Sequence, residues 1–256
     1  MQQTIRQMTE AITAALAPME PSIYLYGSAA QGDFRPGWSD IDLLALTPAP
    51  MTAHQAQTLL TLRQNLPVIY PNATYARACE GAILPLEALT NSTPLTCVYW
   101  GTSGQRITTG YAPDVFCLWQ LHHGGQLLHG PDVRDTLPKP TPGELHQGVA
   151  QHLQSILTHG QGARSLYAFG WLLDTARGLY TVMNNAVIAK TAAGEWALAQ
   201  GLCPDAAALR LALAVRRNPA LMQQEAVARQ AEGLTPAIAG FADVRRRELL
   251  ARGIRA

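Results

Sequence analysis

Residues 26–44 constrain this chain more than any other segment. An apolar run ends in a Gly-Ser pair, a glycine-rich loop follows, and an Asp-Ile-Asp sequence opens a second apolar run. This order predicts a strand, a tight turn with a short helix, and a second strand. Because alternate residues of a strand point to the same face, Asp40 and Asp42 converge while Ile41 turns toward the core. Two converging carboxylates repel each other, so the pair predicts a divalent cation, and hard oxygen ligands suit Mg²⁺.

The turn after the first strand supplies groups that can bind an anion. The backbone N–H groups that begin at Gly27 and the hydroxyl of Ser28 lie where a helix is expected to start. Such a turn can hold a triphosphate. The other interpretation is a surface turn before an ordinary strand, and apolar runs of strand-like length on both sides disfavour it.

Length and composition limit the class of protein. The 256 residues suffice for one large domain or two modest ones, and 48% are hydrophobic while 14% are charged. The net charge of +1 gives no bulk electrostatic reason to bind nucleic acid. The start of the chain lacks a signal-peptide profile, and no apolar run is long enough to span a bilayer. We expect a cytoplasmic monomer with no nucleic-acid or membrane partner.

The cysteines and the one dense basic run are expected to have structural roles. The four cysteines lack metal-type spacing and have apolar or small neighbours, so we expect them to be reduced and partly buried. They are Cys79, Cys97, Cys117 and Cys203. The three arginines at 245–247 are expected on the solvated face of a terminal helix.

Strand and helix signals alternate in the first part of the chain and give way to helix signals in the second. The first part carries predicted strands at 22–26, 42–47, 75–84 and 94–99, and helices at 2–16, 53–66 (capped by Thr52) and 114–121. Prolines at 138, 140 and 142 mark a boundary. Beyond it the predicted helices are 144–158, 163–184, 191–200, 205–216 and 236–252. We predict an α/β (α+β) domain, residues 1–140, followed by an all-α helical-bundle domain, residues 141–256.

The Gly-Ser pair followed by Asp-x-Asp resembles the nucleotidyltransferase superfamily of the DNA polymerase β type. A second resemblance lies in the segments 177–182 and 188–197, where an Arg-bearing helix, a Lys and an Ala-x-x-Glu-Trp-Ala sequence follow one another. Together with residues 113–131, this pattern is similar to the streptomycin/spectinomycin adenylyltransferase group of aminoglycoside nucleotidyltransferases. The resemblance implies an enzyme that uses ATP and Mg²⁺ to transfer AMP to a hydroxyl of a small molecule.

The resemblance also implies roles for residues at matching positions. Asp40 and Asp42 are implied to bind the metal, and Gly27, Ser28 and Ser39 the phosphates. Residues of the helical part, Arg177 and Lys190, are implied to approach the triphosphate. We expect Lys190 in a loop ahead of a helix capped by Thr191. A purely structural alternative for Arg177 is an ion pair with Asp174, three residues earlier.

Transfer to a hydroxyl also requires that its proton be removed, which a carboxylate can do. The resemblance places the catalytic glutamate, which also binds metal, on the strand after Asp-x-Asp, and the match is Glu80. Its neighbours are Ala, Cys, Gly and Ile, which argues against an ordinary surface residue. The alternative carboxylate is Glu87.

The acceptor is the least constrained part of the prediction. A polycationic aminoglycoside calls for an acidic pocket, and the chain has only 18 Asp and Glu in all. Thr158 and Ala163 stand where streptomycin-modifying members carry Trp and Asp. We therefore expect spectinomycin rather than streptomycin, with Asp114, Tyr167 and Asp174 as candidate substrate contacts. Alternatives are a non-antibiotic metabolite, a protein hydroxyl, or a nucleotide-binding regulator without turnover.

Overall fold

The computed structural model describes residues 1–72, 75–89, 94–101 and 104–255. The chain divides into two compact units. The first unit comprises Met1–Gly32 and Ser39–Lys139, and the second comprises Asp33–Trp38 and Pro140–Ala256. The short segment Asp33–Trp38 therefore belongs to the second unit, although both of its neighbours in the chain belong to the first.

The first unit is built on a mixed sheet. Within the described residues the sheet has six strands in the order β5-β4-β3-β2-β1-β6. The strands are β1 (Ser22–Tyr26), β2 (Ile41–Thr47), β3 (Cys79–Pro85), β4 (Cys97–Gly101), β5 (Gly104–Thr108) and β6 (Gln126–His129). Strands β2 and β3 run parallel, and the other described pairs are antiparallel.

Helices cover the sheet of the first unit. They are α1 (Gln2–Leu16), α2 (Gly27–Ala30), α3 (Ala53–Ile69) and α4 (Val115–Gly124). The buried residues of α1 recur every three or four positions, which is the helical period expected from the sequence. Thr52 caps α3 as predicted, in a reciprocal pair of bonds with Gln55. One face of the sheet buries Tyr24 and Leu44 in a cluster that includes Leu121 of α4.

The described residues of the second unit form no strands. Its helices are α5 (Pro142–His159), α6 (Leu166–Asn184), α7 (Lys190–Ala199), α8 (Ala206–Arg217), α9 (Glu225–Glu232) and α10 (Thr235–Ala251). Helix α6 supplies the centre of the core, where Phe169 and Leu172 are fully buried together with Phe241 of α10. The predicted order of an α/β part followed by a helical part is confirmed.

Several predicted element boundaries need correction. Strand β3 begins at Cys79 rather than at residue 75, because residues 76–78 form a 3-10 turn. Strand β4 begins at Cys97 rather than at residue 94, and β5 was not predicted. Helix α6 begins at Leu166 rather than at residue 163.

The prediction that residues 245–247 lie on a solvated face is wrong for the first of them. Arg245 is fully buried in α10, where it shares a face with Phe241 and Leu249, each four residues away. Its Nη1 atom donates a hydrogen bond to the backbone oxygen of Asp174 at 3.2 Å. A β-carbon on Gly178 would lie 2.4 Å from that Nη1, so the glycine makes room for the guanidinium.

Two further expectations concern the cysteines and the membrane. All four cysteines are free thiols, as predicted, and all are buried. Burial raises the pKa of Cys79 and of Cys97 to about 12, so these thiols are unreactive at neutral pH. In the part of the chain that the structure describes, no helix combines the length and apolar character that a bilayer span requires.

Candidate active site

Three side chains of the first unit stand in one row across neighbouring strands. Tyr26 of β1 is paired with Asp42 of β2, and Asp42 is paired with Glu80 of β3. Directly paired residues point to the same face of a sheet, and adjacent strands lie about 5 Å apart. The sequence-predicted metal ligand Asp42 and the predicted base Glu80 are therefore immediate neighbours, although 37 positions lie between them in the chain.

Asp40 lies at the same end of the sheet. It precedes the first residue of β2 and, like Asp42 and Glu80, is partly buried. Ser39, the residue before it, is only 8% exposed. The alternative base, Glu87, is exposed and lies beyond the far end of β3, in a 3-10 turn. The fold thus collects Asp40, Asp42 and Glu80 at one strand end and leaves Glu87 out of that group.

The Gly-Ser turn closes tightly over Asp42. Gly27 has a φ of +66°, in the left-handed region that favours glycine. A β-carbon on it would lie 2.0 Å from Oδ2 of Asp42, which no side chain allows. Ser28 follows in the short helix α2, directly beside this contact. The glycine thus brings the backbone up to the carboxylate.

The residues at this strand end are suited to a hard cation. In the described ranges, no three His, Cys, Asp or Glu side chains already stand in an arrangement that would hold a metal. The fold nevertheless places Asp42 of β2 beside Glu80 of β3, and the backbone of Gly27 lies in close contact with Asp42. Carboxylate oxygens are the ligands that Mg²⁺ prefers, so the donor set fits this ion.

Tyr26, which the sequence analysis did not single out, forms the apolar side of this row. Burial raises its pKa well above the usual value, and Cys117 and Asp42 add to the effect. Burial likewise raises the pKa of the neighbouring Tyr111 above its usual range. Both phenols therefore stay protonated, and the neighbour of Asp42 on β1 is an uncharged tyrosine. The signal that could have identified Tyr26 in the sequence is its position directly before the Gly-Ser pair.

Asp114 has a structural partner in this unit. It is the N-cap of α4, and its carboxylate accepts a hydrogen bond from the backbone N–H of Cys117 at 2.7 Å. This bond satisfies one of the free N–H groups at the helix start. The predicted role as a substrate contact stays a prediction that competes with this cap.

The second unit carries a cluster of charges centred on Asp174. Its Oδ1 accepts a hydrogen bond from Nη2 of Arg177, and its Oδ2 accepts one from Nζ of Lys190, both at 2.9 Å. The i,i+3 ion pair of Arg177 that the sequence offered as an alternative is therefore present. Burial raises the pKa of Asp174, but the charges of Lys190 and Arg177 outweigh it and hold the pKa well below its usual range.

Lys190 was predicted to lie in a loop, and this prediction is wrong. It is the first residue of α7, and the N-cap position is occupied by Ala189. Thr191 is not a helix cap, because its hydroxyl donates a hydrogen bond to Oδ1 of Asp33 at 2.6 Å. In the sequence, a threonine near a helix start can be a helix cap or can bond to a distant residue, and local sequence does not distinguish the two.

Asp33 was missed by the sequence analysis and is a centre of contacts in the second unit. The residue is 4% exposed, and its carboxylate pairs with Arg216 at 3.2 Å and with Arg35 at 3.0 Å. The Arg216 guanidinium lies 5.1 Å from the ring centre of Trp38. Burial raises the pKa of Asp33, but hydrogen bonds from Thr191 and the charge of Arg216 lower it below the usual value.

The positions tied to the acceptor lie at the α5–α6 connection. Thr158 is exposed in the last turn of α5, and its hydroxyl donates to the backbone oxygen of Gln154. Ala163 is exposed between the two helices, and Tyr167 in the first turn of α6 is 70% exposed. An exposed aromatic ring of this kind is available to a ligand.

Comparison with known proteins agrees with this geometry. Residues 11–70 match the family model of the nucleotidyltransferase domain. The first unit contains a nucleotidyltransferase domain. The match includes Gly27, Ser28, Asp40 and Asp42, whereas Glu80 lies outside it. A search with this sequence among curated proteins finds no match.

The fold of the whole chain is shared with a solved structure. That structure is the crystal structure of spectinomycin adenyltransferase AAD(9) from Enterococcus faecialis with ATP and spectinomycin. The TM-score is 0.71 at 16% sequence identity, and the alignment covers 96% of this chain and 99% of the other. The nucleotidyltransferase domain and the shared fold support an enzyme of the nucleotidyltransferase kind.

Proposed function

We propose that this protein transfers AMP from ATP to a hydroxyl group of spectinomycin or a related aminocyclitol, and that it requires Mg²⁺. The observation that carries the proposal is the direct pairing of Asp42 with Glu80 under the Gly27 turn. The shared fold supports the choice of nucleotide and acceptor, since the similar structure is that of an adenyltransferase crystallised with ATP and spectinomycin.

Asp40, Asp42 and Glu80 would hold the metal in this proposal. When bound, Mg²⁺ would neutralise charge on the triphosphate and make the acceptor hydroxyl more acidic. Glu80 accepts the proton of that hydroxyl. The hydroxyl oxygen then forms a bond to the α-phosphorus of ATP, the bond from that phosphorus to the bridging oxygen breaks, and pyrophosphate leaves.

The remaining proposed nucleotide contacts are polar and cationic. The backbone of Gly27 and the hydroxyls of Ser28 and Ser39 bind phosphate oxygens. Arg177 and Lys190 neutralise charge on the leaving pyrophosphate. Phosphoryl chemistry of this kind depends mainly on positioning and on charge neutralisation, which these groups provide without a covalent intermediate.

The proposed acceptor is small and carries no guanidinium group. Thr158 and Ala163 offer neither a stacking ring nor a carboxylate to streptomycin. Among the predicted acceptor contacts, Tyr167 is the best supported because it is 70% exposed. Asp114 and Asp174 are weaker candidates, since their carboxylates already accept hydrogen bonds within their own units.

The proposal keeps the predicted monomer and the division into domains 1–140 and 141–256. Two rival functions remain as outcomes of the test. One is adenylylation of a non-antibiotic metabolite or of a protein hydroxyl, and the other is nucleotide binding without turnover.

The experiment is incubation of the purified chain with ATP, Mg²⁺ and either spectinomycin or streptomycin, followed by mass spectrometry of the drugs. We expect one adenylyl group on spectinomycin and little or none on streptomycin. Asp42→Asn serves as the inactive control. Modification of streptomycin alone would show that the acceptor contacts are misplaced, and modification of neither drug would move the acceptor outside this class.

A further inference from the structure

One carboxylate in the second unit holds two cations that come from different helices. Asp174 and Arg177 lie on α6, whereas Lys190 begins α7. Each carboxylate oxygen of Asp174 accepts one hydrogen bond, the first from Arg177 and the second from Lys190, both at 2.9 Å. The geometry therefore fixes a guanidinium and an ammonium side by side on one anion.

Accessibility within this cluster differs between the anion and the cations. The side chain of Asp174 is 11% exposed, whereas those of Arg177 and Lys190 are 28% and 26% exposed. The Asp174 side chain is therefore largely covered, and parts of both cationic side chains remain open to solvent. The more exposed partners of this cluster are therefore the two cationic residues and not Asp174.

The cluster carries more positive than negative charge. The charged or titratable groups that act on Asp174 or Lys190 lie on α5, α6, α8 and α10 or on the segment Asp33–Trp38. They are Arg177, His152 on α5, Arg216 on α8, Arg245 on α10 and, through Thr191 and Arg216, Asp33. Burial keeps His152 neutral at pH 7, since its pKa is lowered to about 4. Arg35 also pairs with Asp33, so five cations face two carboxylates, and this surplus favours a bound anion.

We propose that Asp174 is a positioning residue for nucleotide binding, which holds Arg177 and Lys190 together as one pair of cations toward the triphosphate. This inference rests on the proposed function, in which those two cations meet the phosphates. In this role Asp174 serves nucleotide binding and does not contact the acceptor. It stays paired with Arg177 and Lys190 when the triphosphate binds, and the phosphate does not have to displace it.

Asp174 also keeps Lys190 charged. Burial lowers the pKa of Lys190, and the nearby charge of Arg177 lowers it further, whereas the carboxylate of Asp174 raises it. Removal of the carboxylate would leave burial and like charges to act alone, and the ammonium would lose its proton at a lower pH. A neutral amine neutralises no phosphate charge, so nucleotide affinity in the variant should fall as the pH rises.

The first test is calorimetric titration of the full chain with ATP in the absence of an acceptor. We expect Asp174→Asn to bind ATP at least about tenfold more weakly than wild type at about pH 8.5, and the loss to shrink at about pH 6.5. The matched control is Asp243→Asn, which removes an i,i+3 Asp–Arg pair with the same 2.9 Å distance on the surface of α10. We expect no change in that control.

The second test uses the scarcity of lysine in this chain. The only lysines are Lys139 and Lys190, so a sample labelled at the lysine ε-carbon gives two NMR signals. Lys139, whose side chain is 68% exposed, is the internal reference. We expect the titration midpoint of Lys190 to fall in Asp174→Asn while that of Lys139 stays in place.

The outcomes separate this inference from the proposed function. A wild-type chain that binds no ATP would contradict the proposed function itself. Wild type that binds ATP, with Asp174→Asn binding equally or more tightly at both pH values, would overturn the role of Asp174 alone. If Asp174→Asn does not fold, the wild-type titration decides, since a Lys190 already neutral at about pH 7.5 would overturn the inference.

Discussion

The Cα atom of Gly27 lies so close to Asp42 that a β-carbon there would come within 2.0 Å of the carboxylate oxygen Oδ2. The same glycine has a φ of +66°. Two independent requirements therefore fall on this position, one from the backbone and one from the neighbouring side chain. A second glycine of the turn, Gly32, shares the backbone requirement with a φ of +73°, but a β-carbon there would meet nothing within 4 Å.

This difference gives a matched pair of substitutions. Gly32→Ala should cost about 1–2 kcal/mol of unfolding free energy, because it places a side chain in the left-handed region. Gly27→Ala should cost at least as much, because it adds the clash with Asp42. Only Gly27→Ala displaces Asp42, so only it should also lose about two orders of magnitude or more in turnover. Urea unfolding and steady-state kinetics measure the two quantities. Equal turnover in both variants would show that the Gly27 contact has no catalytic importance.

Glu80 and Glu87 form a second matched pair. Glu80→Gln should reduce turnover by about two to four orders of magnitude, the usual effect of removing a general base, with ATP affinity changed only a few-fold. Glu87→Gln should leave turnover near wild type because Glu87 is exposed and outside the row. Turnover and ATP binding are measured for both. If Glu87→Gln is the damaging change, the base has been assigned to the wrong carboxylate.

The lowered pKa of His152 predicts how the unfolding free energy depends on pH. Burial lowers its pKa from 6.5 to about 4, so between these values the unfolded chain binds a proton that the folded chain does not. Stability from this residue is therefore present above pH 6.5 and is lost as the pH falls toward 4. Between about pH 7 and pH 5 the loss amounts to about 2 kcal/mol.

The measurement for His152 is the unfolding free energy at both pH values in wild type and variants. His152→Gln should lack this part of the pH dependence, whereas His159→Gln, an exposed histidine of the same helix, should keep it. An unchanged pH dependence in His152→Gln would contradict the assignment of a partly buried histidine that is neutral in the folded chain.

The ion pair between Asp33 and Arg216 should be important for folding. Arg216 is 2% exposed, so Asp33→Ala leaves a buried charge without its carboxylate and should cost about 3–5 kcal/mol. The control is Glu195→Ala, since Glu195 pairs with the adjacent Arg217 where both side chains are about half exposed. That change should cost less than about 1 kcal/mol. Similar costs in urea unfolding would refute the contribution of the buried pair.

The parts of the fold and site that the sequence predicted are those encoded by consecutive residues. Helix α1, strand β1 and most of strand β2 follow from local apolar periodicity, and the Asp-x-Asp spacing indicated which strand end carries the carboxylates. Their proximity to Glu80 depends on the pairing of β2 with β3, which residue patterns alone do not specify.

The missed features depend on contacts between distant residues. Asp33 and Arg216 meet across 183 positions of sequence, and nothing around either residue indicates the other. Arg245 lies in a run of three arginines that is typical of a solvated helix face, yet the helical period turns it inward onto backbone carbonyls. The partner of a buried charge is a property of tertiary packing, so local patterns could not identify it.

The most direct test of the central claim is to follow the label from ATP carrying ³²P at either the α- or the γ-phosphate. With Mg²⁺ and spectinomycin, we predict that α-label appears on the drug and γ-label appears only in pyrophosphate, with both signals lost in Glu80→Gln. Transfer of γ-label to the drug would contradict nucleotidyl transfer in favour of phosphoryl transfer. If neither label reaches the drug, the proposed acceptor is contradicted.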